Sequence, residues 1–197
     1  MKKHYLISFL LLLSILFFGG CSAHSWGGKR ITTDPSTAAS GPLQTGRAMY
    51  VAILQPVAED LADSPEYIAA QFAKNLSAVA GAVETGVMAG SIAEGLAASR
   101  AAAADYLVLL QIHTWKMSSL LSPGHKTSVE ILVIDTGTEK ICDRSTIEAN
   151  CYVMVAGLEQ SPRECIRPQV VAWMEKTFDA KVESKPQTDL KTLEMMR

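Results

Sequence analysis

The stretch "AAAADYLVLLQIHTWK", residues 101 to 116, decides the fold. An Ala-rich segment leads directly into Tyr106 to Leu110, which form a continuous run of apolar residues, and polar and apolar residues alternate after that run. A short continuous apolar run is typical of a β-strand that is covered on both faces. The stretch therefore predicts a helix followed by a central buried strand, as in layered folds that pack helices on a sheet.

Upstream lies a second continuous apolar run, Ala48 to Leu54, which ends at Pro56 and predicts another buried strand. A helix is predicted next. Ser64 is suited to its N-cap, Pro65 to its first helical position and Gly81 to its end.

Two elements are predicted between this helix and the opening stretch. Residues 83 to 88 favour a short strand. Ser91 and Glu94 have the S-x-x-E spacing of a capping box, which predicts a second helix that runs to about Ala104.

Downstream, residues 126 to 135 and 139 to 150 alternate with a period of two and predict two strands joined by a turn at 135 to 138. A last helix is predicted over residues 167 to 178. The element order is β-α-β-α-β-β-β-α. It predicts one α/β (α+β) domain, residues 47 to 179, with a mixed β-sheet.

Three stretches resemble a family of uncharacterised bacterial lipoproteins, domain of unknown function 4823: residues 47 to 56, the opening stretch, and residues 128 to 149. The matching positions are Asp105, Tyr106, Leu107, Val108, Ile112 and Trp115. More remotely, the element order is similar to that of the amino-terminal domain of TolB and the periplasmic part of the curli secretion lipoprotein. The resemblance implies a TolB-like fold and an envelope location, and it implies no activity. Residues 150 to 167 depart from the family pattern.

The amino-terminal residues 1 to 20 have the three parts of a secretory signal: Lys2 and Lys3, the apolar run from Leu6 to Phe18, and two small residues. The run has 13 residues, whereas a membrane-spanning helix needs about 20. Small residues followed by a cysteine resemble the bacterial lipoprotein signal, which implies that Cys21 is lipidated and becomes the first residue. The alternative is an ordinary signal cut near Ala23.

Ser22 after the anchor favours the outer membrane, at its periplasmic face, over retention in the inner membrane. Residues 21 to 46 are rich in Gly, Ser, Thr, Ala and Pro and are interpreted as a flexible tether. Residues 180 to 197 are predicted to be a disordered tail.

Without its first 20 residues the chain has 16 basic and 20 acidic residues, a formal charge of −4. Nucleic-acid binding needs a basic patch, so that class of function is excluded. The histidines show no zinc-site spacing, and the glycines match neither dinucleotide- nor phosphate-binding loops. We therefore expect no metal and no cofactor.

Lipidation of Cys21 leaves three cysteines. Cys142 and Cys151 lie too far apart along one predicted strand for a disulfide. Cys151 and Cys165 flank a segment that can turn back, so we predict that they are joined and that Cys142 is free. The alternative is three reduced cysteines packed as small apolar residues.

Two groups of residues suggest chemistry. Asp135 belongs to an Asp-Thr-Gly triplet, but aspartic proteases need two such aspartates, and a turn also favours Asp and Gly. His113 is expected to share a strand face with Gln111 and Trp115, and His125 is expected in a loop. No nucleophile accompanies either histidine, so we expect no catalytic residue.

The first functional hypothesis is a non-catalytic, lipid-anchored envelope module that binds an envelope protein or copies of itself. Sheet edges and the loop that contains Leu120 and Leu121 are its candidate contact surfaces. The alternatives are a periplasmic hydrolase acting on peptidoglycan or peptides through His113 or Asp135, and a secretion accessory lipoprotein.

Overall fold

A computed structural model of the chain describes residues 29–33, 41–86, 88–117, 124–151 and 161–182. Within these residues the elements in chain order are β1 (Lys29–Thr33), β2 (Ala48–Ile53), α1 (Pro65–Leu76), β3 (Ala82–Thr85), α2 (Ile92–Ala101), β4 (Tyr106–Lys116), β5 (His125–Asp135), β6 (Ile141–Cys151) and α3 (Pro162–Phe178). The six strands form one mixed sheet in the order β1-β6-β5-β4-β2-β3. The predicted α/β (α+β) class is confirmed, and the predicted order is confirmed for the eight elements from β2 to α3. β1 is an additional strand of the same sheet, so the predicted domain start at residue 47 is wrong.

The sheet has a parallel half and an antiparallel half that meet at β4. On one side β4 runs parallel to β2, and β2 runs parallel to β3. On the other side β4, β5, β6 and β1 alternate in direction. The central position of β4 explains its apolar sequence, because a strand in that position is covered on both faces.

The two faces of the sheet are covered unequally. α1 and α3 pack over the face that carries Val51, Val108 and Ile131, which we call the two-helix face. α2 covers only part of the opposite face, where Leu96 packs on the cluster that includes Leu109, and we call this the one-helix face. Most of the core therefore lies beneath α1 and α3.

The start of α1 follows the prediction, but its end does not. The Ser64 hydroxyl accepts a hydrogen bond from the Tyr67 N–H, so Ser64 caps the helix as expected. Gly81 was predicted to end the helix, which instead ends at Leu76. Gly81 is needed for packing: a Cβ at this position would lie 2.2 Å from the carbonyl oxygen of Gly46.

Two other helix boundaries differ from the predictions. α2 ends at Ala101 rather than near residue 104. α3 begins at Pro162, five residues earlier than predicted, and the Glu164 carboxylate accepts a hydrogen bond from the Ser161 N–H at its start. The sequence does carry a signal for this first turn, because Ser161 and Glu164 have the S-x-x-E spacing and Pro162 is suited to the first helical position, but the prediction did not use it.

Part of the predicted tether is ordered. Within residues 21 to 46, Lys29–Thr33 pairs with β6 as an edge strand, and buried Leu43 donates its N–H to the Thr177 carbonyl. The interpretation of the whole segment as a flexible tether is therefore wrong for these residues. The predicted signal, residues 1 to 20, and residues 183 to 197 of the predicted tail lie outside the described residues.

A disulfide joins Cys151, the last residue of β6, to Cys165 in the first turn of α3. Their Cα atoms are 5.9 Å apart, and both side chains are buried in the core of the two-helix face. Cys142 is free and partly exposed. This pairing is the one that the spacing of the cysteines favours, and it fastens α3 to the sheet.

We expect the double substitution Cys151→Ser/Cys165→Ser to lower the free energy of unfolding by about 3 kcal/mol, because the bridge restricts the unfolded chain. Urea denaturation of the oxidised protein measures the loss. Cys142→Ser is the matched control and should change it by less than about 0.5 kcal/mol. Non-reducing peptide mapping that links Cys142 to either partner would contradict the assignment.

Candidate functional site

A polar cleft of about 260 Å³ lies at the end of the sheet where β2 and β4 begin and β5 ends. Its lining residues are Gln44, Arg47, Asp105, Tyr106, Asp135, Thr136 and Gly137. The cleft contains Asp135, which the sequence singled out, and Asp105, which only the family resemblance named. The cleft brings two carboxylates and one guanidinium together.

Asp105 holds the starts of two neighbouring strands together. Its Oδ2 accepts a 2.9 Å hydrogen bond from the Ala48 N–H, and its own N–H donates to the Ala48 carbonyl, also at 2.9 Å. Arg47 approaches its other oxygen at 3.4 Å. The carboxylate of Asp105 is therefore occupied by backbone and by an exposed ion pair, which is a structural role.

The carboxylate of Asp135 is hydrogen-bonded within its own turn. Its Oδ1 accepts hydrogen bonds from the Thr138 N–H at 2.7 Å and from the Thr138 hydroxyl at 2.9 Å. The backbone hydrogen bond from Thr138 is the main cause that lowers the pKa of Asp135, and Arg47 lowers it further, although desolvation opposes them. A general acid needs a raised carboxyl pKa, so this environment is unsuited to that role.

The Asp-Thr-Gly triplet fastens the turn between β5 and β6 to the loop before β4. The Thr136 hydroxyl donates to the Ala104 carbonyl at 2.6 Å, and the Thr136 N–H donates to the Asp105 carbonyl at 3.0 Å. The guanidinium of Arg100 donates to the Thr136 carbonyl and also pairs with Glu139. The triplet is therefore part of a clamp at this end of the sheet.

His113 lies far from the cleft. Its Nε2 is 3.4 Å from the Glu130 carboxylate, which also accepts a hydrogen bond from the Arg144 guanidinium at 2.8 Å. Tyr106 lies opposite Asp135 in the sheet, and His113 is seven residues further along β4, about 23 Å at the rise of a strand. The structure does not bring His113 and Asp135 together.

Two expectations about the neighbourhood of the histidines are wrong. A register shift between Ile112 and Thr114 interrupts the alternation, so Trp115 is buried in the two-helix core while His113 is half-exposed. His125 is the buried first residue of β5, not a loop residue. Leu120 and Leu121, the candidate contact residues, lie outside the described residues.

The two indole N–H groups of the core donate to carboxylates that sequence reasoning did not single out. Trp115 donates to Asp63 at 2.7 Å, and Trp173 donates to buried Asp143 at 2.9 Å. The Ser145 hydroxyl donates to the same oxygen of Asp143. Both contacts join a loop or helix to the sheet, so these carboxylates support the fold.

Burial raises the pKa of the Cys142 thiol, which disfavours a thiolate nucleophile there.

Among the described residues, no group of three or more His, Cys, Asp or Glu side chains is arranged to hold a metal ion. The described helices include none that is both long and apolar enough to span a membrane.

Comparison with known proteins shows the fold. No family model and no curated protein sequence matches the chain, so the resemblance to domain of unknown function 4823 stays a prediction. Among solved structures, the PelC dodecamer from Paraburkholderia phytofirmans matches with a TM-score of 0.56 at 15% identity, over 79% of this chain and 99% of that chain. The chain therefore shares the PelC fold.

Two further solved structures match with lower scores. One is a Xanthomonas campestris protein described by domain of unknown function 330, with a TM-score of 0.47, 8% identity and coverage of 73% of this chain and 90% of that chain. The other is TolB from Acinetobacter baumannii, with a TM-score of 0.37, 12% identity and coverage of 76% of this chain and 30% of that chain.

We expect Asp135→Asn to flatten the dependence of stability on pH. Because the folded pKa of Asp135 lies below the ordinary value of about 3.9, its ionised form stabilises the fold above that value. This stabilisation is lost as the pH falls from about 5 through the folded pKa. Urea unfolding at a series of pH values measures the slope.

Asparagine can still accept the bonds from Thr138, so at neutral pH the loss should not exceed about 1 kcal/mol. Glu59→Gln, which removes an exposed carboxylate from the loop between β2 and α1, is the matched control. An unchanged slope in Asp135→Asn would contradict the structural role of this carboxylate.

Proposed function

We propose that this protein is a lipid-anchored bacterial envelope lipoprotein that works without catalysis, as a module that assembles with copies of itself. The observation that carries the proposal is the shared fold with PelC, whose solved structure is a dodecamer and whose chain is covered almost completely. A chain with this fold can therefore self-associate. Within the broader class of envelope accessory proteins, the proposal is thus a protein that forms homo-oligomers.

The cleft supports a non-catalytic function. Asp105 and Asp135 both accept backbone hydrogen bonds, and Arg47 acts electrostatically on both. A hydrolase that used Asp135 would need a partner acid or a histidine that is free to act. Asp105, the second acid of the cleft, is engaged by the Ala48 N–H and by Arg47, and His113 lies at the other end of β4. Turnover of peptidoglycan fragments or peptides by the purified protein, abolished by Asp135→Asn or His113→Ala, would favour the hydrolase instead.

The sequence around Cys21 supports lipid anchoring. The position of β1 also limits the distance between the anchor and the sheet. Cys21 and Lys29 are eight positions apart in the chain, so the extended chain between their Cα atoms spans at most about 29 Å. Lipidation of Cys21 would therefore hold the β1 edge of the sheet close to the periplasmic face of the outer membrane. Two acyl additions at one cysteine meet the two-signal requirement for stable attachment.

We expect Cys21→Ser to abolish lipidation. The variant should accumulate as an unprocessed or soluble form, and its mass should lack the acyl chains, because the thiol is their attachment point. Membrane fractionation and intact-mass spectrometry measure both effects, with Cys142→Ser as the matched control. An unchanged mass and membrane fraction in Cys21→Ser would contradict the anchor.

We expect the full chain, extracted from its native membrane in mild detergent, to be oligomeric at native abundance. Native mass spectrometry and analytical ultracentrifugation measure the number of copies, and crosslinking before extraction tests the assembly in place. A monomer by all three methods would contradict self-association. An assembly in which a different envelope protein takes the place of further copies would favour the secretion accessory alternative.

A further inference from the structure

Both edges of the sheet are open in the described part of the chain. β1 lies at one end of the strand order and β3 at the other, and each pairs on one side only. Open edges present unpaired N–H and C=O groups that can accept another strand. The directions of the strands in the sheet make β1 and β3 antiparallel to each other, so the β1 edge of one copy can pair with the β3 edge of the next.

We infer that β1 of one copy pairs antiparallel with β3 of a second copy, with Arg30 opposite Glu84. This inference rests on the proposed self-assembly and names the surface that performs it. In this register Ile31 lies opposite Val83, and Thr32 lies opposite Ala82.

The register places matching side chains on matching faces. Ile31 and Val83 both pack against the core of the two-helix face, so their pairing continues that core across the contact. Arg30 lies opposite Glu148, and Glu84 lies opposite Tyr50, which places both charges on the one-helix face. A one-residue slip would set each charge against the wrong face of the neighbour, so the register is specified.

The charges also select the partner. Arg30 and Glu84 are exposed, and neither takes part in an ion pair within the described residues. Opposite charges directly across two strands are stabilising, and like charges there are destabilising. Pairing β1 with a second β1 would offer Arg30 no acid, and pairing β3 with a second β3 would offer Glu84 no base. The contact is therefore head to tail, which gives closed rings or filaments.

The first test is the charge reversal Glu84→Arg in the full chain, extracted in mild detergent. It should weaken the contact about tenfold, because it replaces a cross-strand attraction with a repulsion. Sedimentation over a range of concentrations measures the shift. Glu59→Arg makes the same change of charge in the loop between β2 and α1 and should assemble as the wild type does.

A second variant tests whether the effect is specific. Arg30→Glu/Glu148→Arg keeps opposite charges between β1 and β6 within one chain and reverses the charge of the β1 edge. Alone it should assemble as poorly as Glu84→Arg. Mixed with Glu84→Arg, each contact again joins opposite charges, and assembly should return to within about twofold of the wild type. Recovery on mixing also shows that neither variant is unfolded.

Disulfide trapping tests the register. Chains with Thr32→Cys and chains with Ala82→Cys, both also carrying Cys142→Ser, should form a linked dimer when mixed and none when kept separate. Thr32→Cys mixed with Glu84→Cys reports a register shifted by two residues and should link far less. A wild type that stays monomeric overturns the proposed function and this inference together. A wild type that assembles while Glu84→Arg assembles equally and no Thr32–Ala82 link forms overturns this inference alone.

Discussion

The burial of β4 on both faces is the constraint on which the rest of the structure depends. Leu107, Val108, Leu109 and Leu110 are fully buried, so both faces of this strand must be covered by other elements. One edge of β4 binds β2 in parallel and the other binds β5 antiparallel, so β4 joins the two halves of the sheet. The segment that leaves β2 also donates three backbone N–H groups, within residues 54 to 62, to carbonyls along β4.

A junction strand in the middle of an open sheet has consequences at the edges. The two halves extend away from β4 and end in β1 and β3, which run in opposite directions and carry opposite exposed charges. Both edge strands are short, with five and four residues, and short charged edges resist indiscriminate pairing. The β3 edge of another copy can still pair with β1, because it places Glu84 opposite Arg30 and Val83 opposite Ile31. The two edge strands therefore favour pairing with each other across copies over pairing with unrelated strands.

The sequence predicted those elements whose signals are local. The apolar runs of β2 and β4 and the Ser64-Pro65 start of α1 depend on residues next to one another, and all three were found. β1 was missed because its five residues lie in a Ser-, Thr- and Gly-rich context and become a strand only by pairing with β6, more than a hundred residues away. The bulge after Ile112 has no signal in the period-two pattern, so His113 and Trp115 were assigned to one face. Of the cleft, Asp135 was predicted as a turn residue, while its closeness to Asp105 depends on the β4–β5 register.

The cleft and the sheet edges use their charged residues differently, and this difference bears on function. At the cleft the two carboxylates accept hydrogen bonds from backbone N–H groups at the start of β2 and in the turn after β5, which would otherwise be unpaired. Their charges therefore stabilise the fold. Arg30 lies opposite Glu148 in its own sheet, but neither Arg30 nor Glu84 takes part in an ion pair within the described residues. Each of them is next to an apolar side chain that packs against the main core. Exposed charges that form no ion pair in the described residues and lie beside an apolar strand edge are better explained by a partner than by catalysis. The physical argument for an assembling module therefore comes from the sheet edges, whereas the charged groups of the cleft hold the strand starts and the turn together.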